Sequence, residues 1–101
     1  MSVKTLTLKI SKTMDLKDLA LQIQEVYKNN DNVRMILDTT GSDITKESIM
    51  KFKKVFDKFE DQAKGKLQET IIVVDSKLKK ILLQTCIKFF KTNGTVKIIQ
   101  K

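Results

Sequence analysis

Val33-Arg-Met-Ile-Leu37 runs directly into Asp38-Thr-Thr-Gly-Ser-Asp-Ile-Thr-Lys-Glu47, and this junction decides the fold. A short, almost continuously apolar run reads as a buried strand, the polar stretch with its glycine reads as a loop, and Thr45 with Glu47 behind it reads as a helix start. Downstream, Ile49, Phe52, Val55, Phe56, Phe59 and Ala63 keep the three-and-four spacing of one buried helical stripe, and Gly65 is placed to stop it. Glu69-Thr-Ile-Ile-Val-Val74 is then a strand, β-branched at every position from Thr70 to Val74. Asp75-Ser76 leads into a third helix whose stripe reads as Leu78, Ile81, Leu82, Thr85, Cys86 and Phe89, which leaves Met50, Leu83 and Phe90 as surplus apolar side chains. Thr92-Asn-Gly94 is a turn, and Thr95-Val-Lys-Ile-Ile99 a last strand.

Upstream, Thr5-Leu-Thr-Leu-Lys-Ile10 alternates strictly, so Leu6, Leu8 and Ile10 share one face of a half-exposed edge strand. Lys9 on the other face discourages unwanted pairing. Asp15 opens a helix with Asp18 in its first turn and Leu16, Leu19, Ala20, Ile23, Val26 and Tyr27 on one side; Asn29-Asn-Asp-Asn32 ends it. The order is β-α-β-α-β-α-β. It predicts a single α/β domain with a four-stranded, mostly parallel sheet and helices packed on it. Val33 to Leu37 is the central strand, apolar enough for helices to cover both sheet faces or for one to cross close above it. Right-handed crossovers place at least two helices on the same face.

The chain has 101 residues, 41% of them hydrophobic, which suits one two-layer core. No apolar run approaches the roughly 20 residues of a membrane span, and the start of the chain lacks the apolar core of a secretory signal. The expectation is a cytoplasmic protein with no membrane partner. Cys86, the one cysteine, reads as a small buried hydrophobe, and with no histidine in the chain it has no activating base. The same absence argues against zinc. Thr39-Thr-Gly41-Ser42 has one glycine and no following lysine at phosphate-loop spacing, so no nucleotide cofactor is implied.

The formal charge is +8, yet 19 of the 20 basic residues are lysine and Arg34 is the only arginine. Dedicated phosphate and base readers favour the planar fork of arginine beside exposed aromatics, so a nucleic-acid or polyanion surface is the alternative reading and not the favoured one. Lysines spread along the whole chain read first as solvated helix faces.

The segment Val33-Arg-Met-Ile-Leu-Asp-Thr-Thr-Gly41, followed by loop, helix, β-branched strand, helix and strand, resembles the STAS domain of anti-sigma-factor antagonists and sulfate-transporter tails. The pattern covers Asp15 to Ile99; residue for residue, Ile36-Leu-Asp38 and Gly41 match. The resemblance implies a non-enzymatic regulatory module that docks a protein partner through the loop after the central strand. The docking residues are then Asp38, Thr39, Thr40, Gly41, Ser42, Asp43 and Thr45. Phosphorylation-switch members carry an Asp-Ser-Ser-Gly-like element at the next helix start, whereas this chain has Ile44-Thr-Lys-Glu-Ser-Ile49. That leaves Thr45 and Ser48 as candidate phosphosites, with helix capping as their plainer role.

A further alternative is a small-ligand protein that gathers Asp38, Asp43, Glu47 and Asp75 at the strand ends, where a hard cation or a hydroxylated ligand would bind. Homodimerisation through an edge strand, Leu6 to Ile10 or Val96 to Ile99, is the last expectation.

Overall fold

The computed structural model describes residues 2–90 and 94–101. Its elements are β1 (Lys4–Lys9), α1 (Leu16–Asn29), β2 (Val33–Asp38), α2 (Lys46–Lys58), α3 (Glu60–Ala63), β3 (Leu67–Val74), α4 (Lys77–Ile87) and β4 (Thr95–Gln100). Thr92 and Asn93 of the expected turn lie outside the described residues.

All four strands are parallel and their order in the sheet is the order in the chain, β1-β2-β3-β4. Every crossover therefore steps the same way, and a common hand lays every helix on one face. The strand residues show it. Leu8, Val33, Met35, Leu37, Leu67, Ile72 and Val74 belong to the core cluster, whereas Ile36, Ile71 and Ile99, of opposite phase, lie outside it; Val73, also of opposite phase, is buried but stands apart from that cluster. Of the two arrangements offered for the central strand, helices on both faces are not found among the described residues, and the apolar Ile36 lies outside the core cluster.

Helix α1 starts where the sequence reading puts it, with the Asp15 carboxylate accepting from the amides of Lys17 and Asp18. It buries Leu19, Ile23, Val26 and Tyr27. Helix α2 lies between α1 and α4, and Phe52 and Phe56 carry its packing. The expected continuous helix to Gly65 is interrupted: Phe59 leaves helical geometry (φ −101°, ψ 17°), and the short α3 follows. Phe59 and Ala63 stay buried across the break.

The stripe of α4 is corrected as well. Leu78 is 81% exposed, Ile81 50% and Phe89 60%, while the supposed surplus residue Leu83 is buried beside Cys86. Phe90 explains the phase. Its ring centroid lies 5.8 Å from that of Phe56 and 6.4 Å from that of Phe52, a three-ring contact that rotates Leu83, Cys86 and Ile87 toward the sheet.

Between β2 and β3 the register slips: Val33 faces Leu67 but Arg34 faces Glu69, so Gln68 is an extra residue. The slip returns Thr70 to the core face. There its hydroxyl is buried with no hydrogen-bond partner among the described residues. Gly94, at φ +78°, approaches the same place, and a Cβ on it would come within 2.4 Å of the Gln68 carbonyl oxygen. Only glycine fits.

Candidate functional site

The segment after β2 sits at the carboxyl ends of the parallel strands, the position where open α/β sheets commonly hold ligands. It is held there from several directions. Thr39 is 1% exposed and donates both its amide (3.0 Å) and its hydroxyl (2.8 Å) to the Val73 carbonyl, which extends the sheet bonding one residue past β2. Asp38 accepts from the amide (2.9 Å) and the hydroxyl (2.7 Å) of Thr40, closing a tight turn on itself. These bonds, the hydroxyl first, hold its carboxyl below the usual range.

From the far side, Asp75 accepts from the Gly41 amide at 2.7 Å and from Lys79 Nζ at 2.8 Å. The same Lys79 ammonium donates to the Thr39 carbonyl at 2.7 Å. Loop, carboxylate and ammonium thereby form one closed network, and the Asp75 carboxyl is lowered by Lys79 first and by the Gly41 amide second. Lys9 Nζ donates to the Thr40 carbonyl from β1 and lies 3.8 Å from Asp38. Gly41 makes its bond at φ +70°, in the left-handed region where a side chain costs about 1 kcal/mol.

Thr45 and Ser48 form a reciprocal capping box at the start of α2. The Thr45 hydroxyl accepts from the Ser48 amide at 3.0 Å, and the Ser48 hydroxyl accepts from the Thr45 amide at 2.8 Å. Ser48 is only 4% exposed. Of the two candidate phosphosites, Thr45 is the accessible one.

The structure therefore places the seven docking candidates in two groups. Thr39 is interior, and Asp38 and Thr40 spend their polar atoms on the turn. Gly41, Asp43 and Thr45 are exposed, with Ser42 half-buried between them. The four strand-end carboxylates do not gather. Asp38 and Asp75 are bound as above, and Glu47 pairs with Lys51 along α2 at 3.3 Å. Among the described residues no group of three or more acidic, cysteine or histidine side chains is placed to hold a metal ion. Cys86 is buried, and desolvation pushes its thiol up.

Sequence reasoning missed two contributors. Lys79 is one; its i,i+4 spacing from Asp75 at a helix start was the available signal. The other is the loop after β1, which Lys12 ties to this segment by a hydrogen bond of 3.0 Å from its amide to the Asp43 carbonyl. Two open depressions lie along that seam. One of about 360 Å³ is lined by Lys12, Thr13, Met14, Leu16, Thr45, Glu47, Ser48 and Lys51. A smaller one of about 250 Å³ lies among Ser11, Lys12, Thr13, Ser42 and Asp43. A third, mostly apolar groove of about 470 Å³ runs between β1 and α1 over Leu6 and Val26. No helix among the described residues is long and apolar enough to cross a membrane.

No curated protein and no solved structure matches the chain significantly. The family model of a divergent CRAL/TRIO domain does match, from residue 4 to residue 100, from the first strand to the last, and the chain belongs to that family.

Proposed function

We propose that this domain is a non-enzymatic binding module that docks a protein partner through the exposed tip of the Asp38 to Thr45 loop and the first turn of α2. The observation that carries the reading is the closed network of Gly41, Asp75, Lys79 and Thr39. A loop with both its glycine amide and an interior carbonyl already bonded is ordered before it meets a partner, so little conformational entropy remains to be lost on binding. Its donors and acceptors are satisfied internally, which suits a docking surface better than a reactive centre. The flanking depressions offer Met14 and Leu16 as apolar contacts between the charged rims of Lys12, Glu47 and Lys51. This is also the part of the chain that the STAS resemblance marks for docking, and Thr45 is the place where a phosphate would add charge at a helix start.

The test is affinity capture from the source cell with the wild-type chain and with Ser42→Glu/Asp43→Lys, whose side chains leave the network intact. Loss of a captured protein in the variant, with an unchanged circular dichroism spectrum, supports the reading. Equal capture by both overturns it.

A second reading follows from the family, whose members often bind small lipophilic ligands. The groove over Leu6 and Val26 is the apolar opening that favours it. Displacement of a fluorescent fatty acid by unlabelled lipid, abolished in Leu6→Lys, would move the proposal to that groove.

A further inference from the structure

The face of the sheet opposite the helices is partly apolar and charge-patterned. The strand registers set its outward residues in three rows: Thr5, Arg34, Glu69 and Thr95; Thr7, Ile36, Ile71 and Lys97; Lys9, Asp38, Val73 and Ile99. The ion pairs confirm that these side chains share a face, with Arg34 Nε 3.0 Å and Lys97 Nζ 3.2 Å from the two oxygens of Glu69. Parallel sheets normally have both faces covered, because their crossover connections place helices on them. Here Ile36, Ile71 and Ile99 lie outside the core cluster, and among the described residues no helix is packed on them.

We propose that this open face joins a second copy of itself across a two-fold axis lying parallel to the strands, between β2 and β3. The argument is complementarity. Such an axis sets β2 of one copy against β3 of the other, so Arg34 faces the partner's Glu69 and Glu69 faces the partner's Arg34. With the pair already present in each copy, these make a ring of four alternating charges. In the next row Ile36 meets the partner's Ile71 and Ile71 the partner's Ile36, while Lys97 meets the partner's Thr7. Asp38 comes opposite the partner's Val73 at the rim, with Lys9 beside it as its counter-ion. An axis across the strands fits worse, because it sets Lys97 against its own copy.

The charge balance of the face points the same way. On a chain of net charge +8 its strand residues carry three cations, Lys9, Arg34 and Lys97, against two carboxylates, Asp38 and Glu69. Most of the charge that would repel a second copy is elsewhere. Aligned sheets pack about 10 Å apart at about −30°, the geometry a parallel axis produces. Four strands about 4.8 Å apart and about 20 Å long present on the order of 400 Å² per copy. That is below the roughly 800 Å² per partner of a standard stable interface, so the dimer is a weak one.

The proposal stands apart from the docking loop and survives its failure. Sedimentation equilibrium from about 10 μM to about 1 mM tests it with four samples: wild type, Arg34→Glu, Glu69→Arg, and the two variants mixed. The double variant R34E/E69R, which keeps the internal pair, is the control for folding. The wild-type mass is expected to rise from 11.6 kDa toward twice that value. Each single variant brings like charges face to face and loses association at least tenfold; the mixture and the double variant regain it, since opposite charges meet again. A wild type that stays at 11.6 kDa at about 1 mM overturns the proposal. So do single variants that associate like wild type, which would assign self-association to an edge strand, and a mixture of folded variants that forms no heterodimer.

Discussion

The two faces of the sheet are made from the same four strands and obey opposite rules. On the covered face, Leu8, Met35, Ile72 and Val74 are almost fully buried beneath the helices, and each contributes about 1.5–3 kcal/mol by leaving water. On the open face the same strands alternate isoleucine with paired charges, and the ion pairs there involve partly exposed groups whose attraction water largely screens. Stability resides on one side, and the freedom to meet another molecule resides on the other. A sheet wound in a single direction can separate the two because all its helices fall on one side.

The largest expected break in that contrast is a pair of truncations read by urea unfolding. Phe52→Ala, beneath the helices and in the ring cluster with Phe56 and Phe90, should cost about 3–5 kcal/mol. Ile36→Ala, on the open face, should cost no more than about 1.5 kcal/mol. Equal losses would mean that the open face is buried in solution.

The faces also differ in how they respond to pH. Burial pushes the Tyr27 hydroxyl, on the helix side, up to about 12 from an ordinary 10. A raised phenol prefers its neutral form in the folded state, so its contribution is complete below pH 10 and is lost as pH rises toward 12. The loss should reach about 2–3 kcal/mol in alkaline denaturation, and Tyr27→Phe should remove that dependence.

A smaller effect, of opposite sign, is expected within the covered face. Thr70→Val exchanges an unpartnered buried hydroxyl for a methyl of the same shape and should raise stability by about 1 kcal/mol in the same urea assay. No gain would show that the hydroxyl is hydrogen-bonded in solution.

The smallest change concerns the acid limb of the open face. Lys97 first and Arg34 after it hold Glu69 below the usual carboxylate range, and the Thr40 bonds do the same for Asp38. Lowered carboxyls stabilise above their unfolded values, near pH 4, and lose that contribution as pH falls through the folded values. Glu69→Gln should therefore flatten stability against pH below the ordinary carboxylate range while leaving the alkaline limb unchanged.

The elements were legible because their periods are clean, and the parallel sheet followed from their alternation. The phase of α4 was not. Residues 77–90 carry two overlapping apolar stripes, and the choice between them is made by Phe90 meeting Phe52 and Phe56 from another helix, a contact no local pattern encodes. The open face was hidden for a related reason. Ile36 and Ile71 look like the residues of a sheet covered twice, and only the strand order, set by long-range pairing, puts the described helices on one face. At the loop, the Thr45 cap was visible from residue type, whereas the interior position of Thr39 depends on Val73, a residue of another strand.

Strand order equal to chain order also bears on how the molecule assembles. Each strand pairs only with its immediate successor, so every closure spans about 30 residues and none joins the two ends of the chain. A nascent chain can add one strand and one helix at a time without waiting for a distant segment. The sheet can then grow from its first edge to its last in the direction of synthesis.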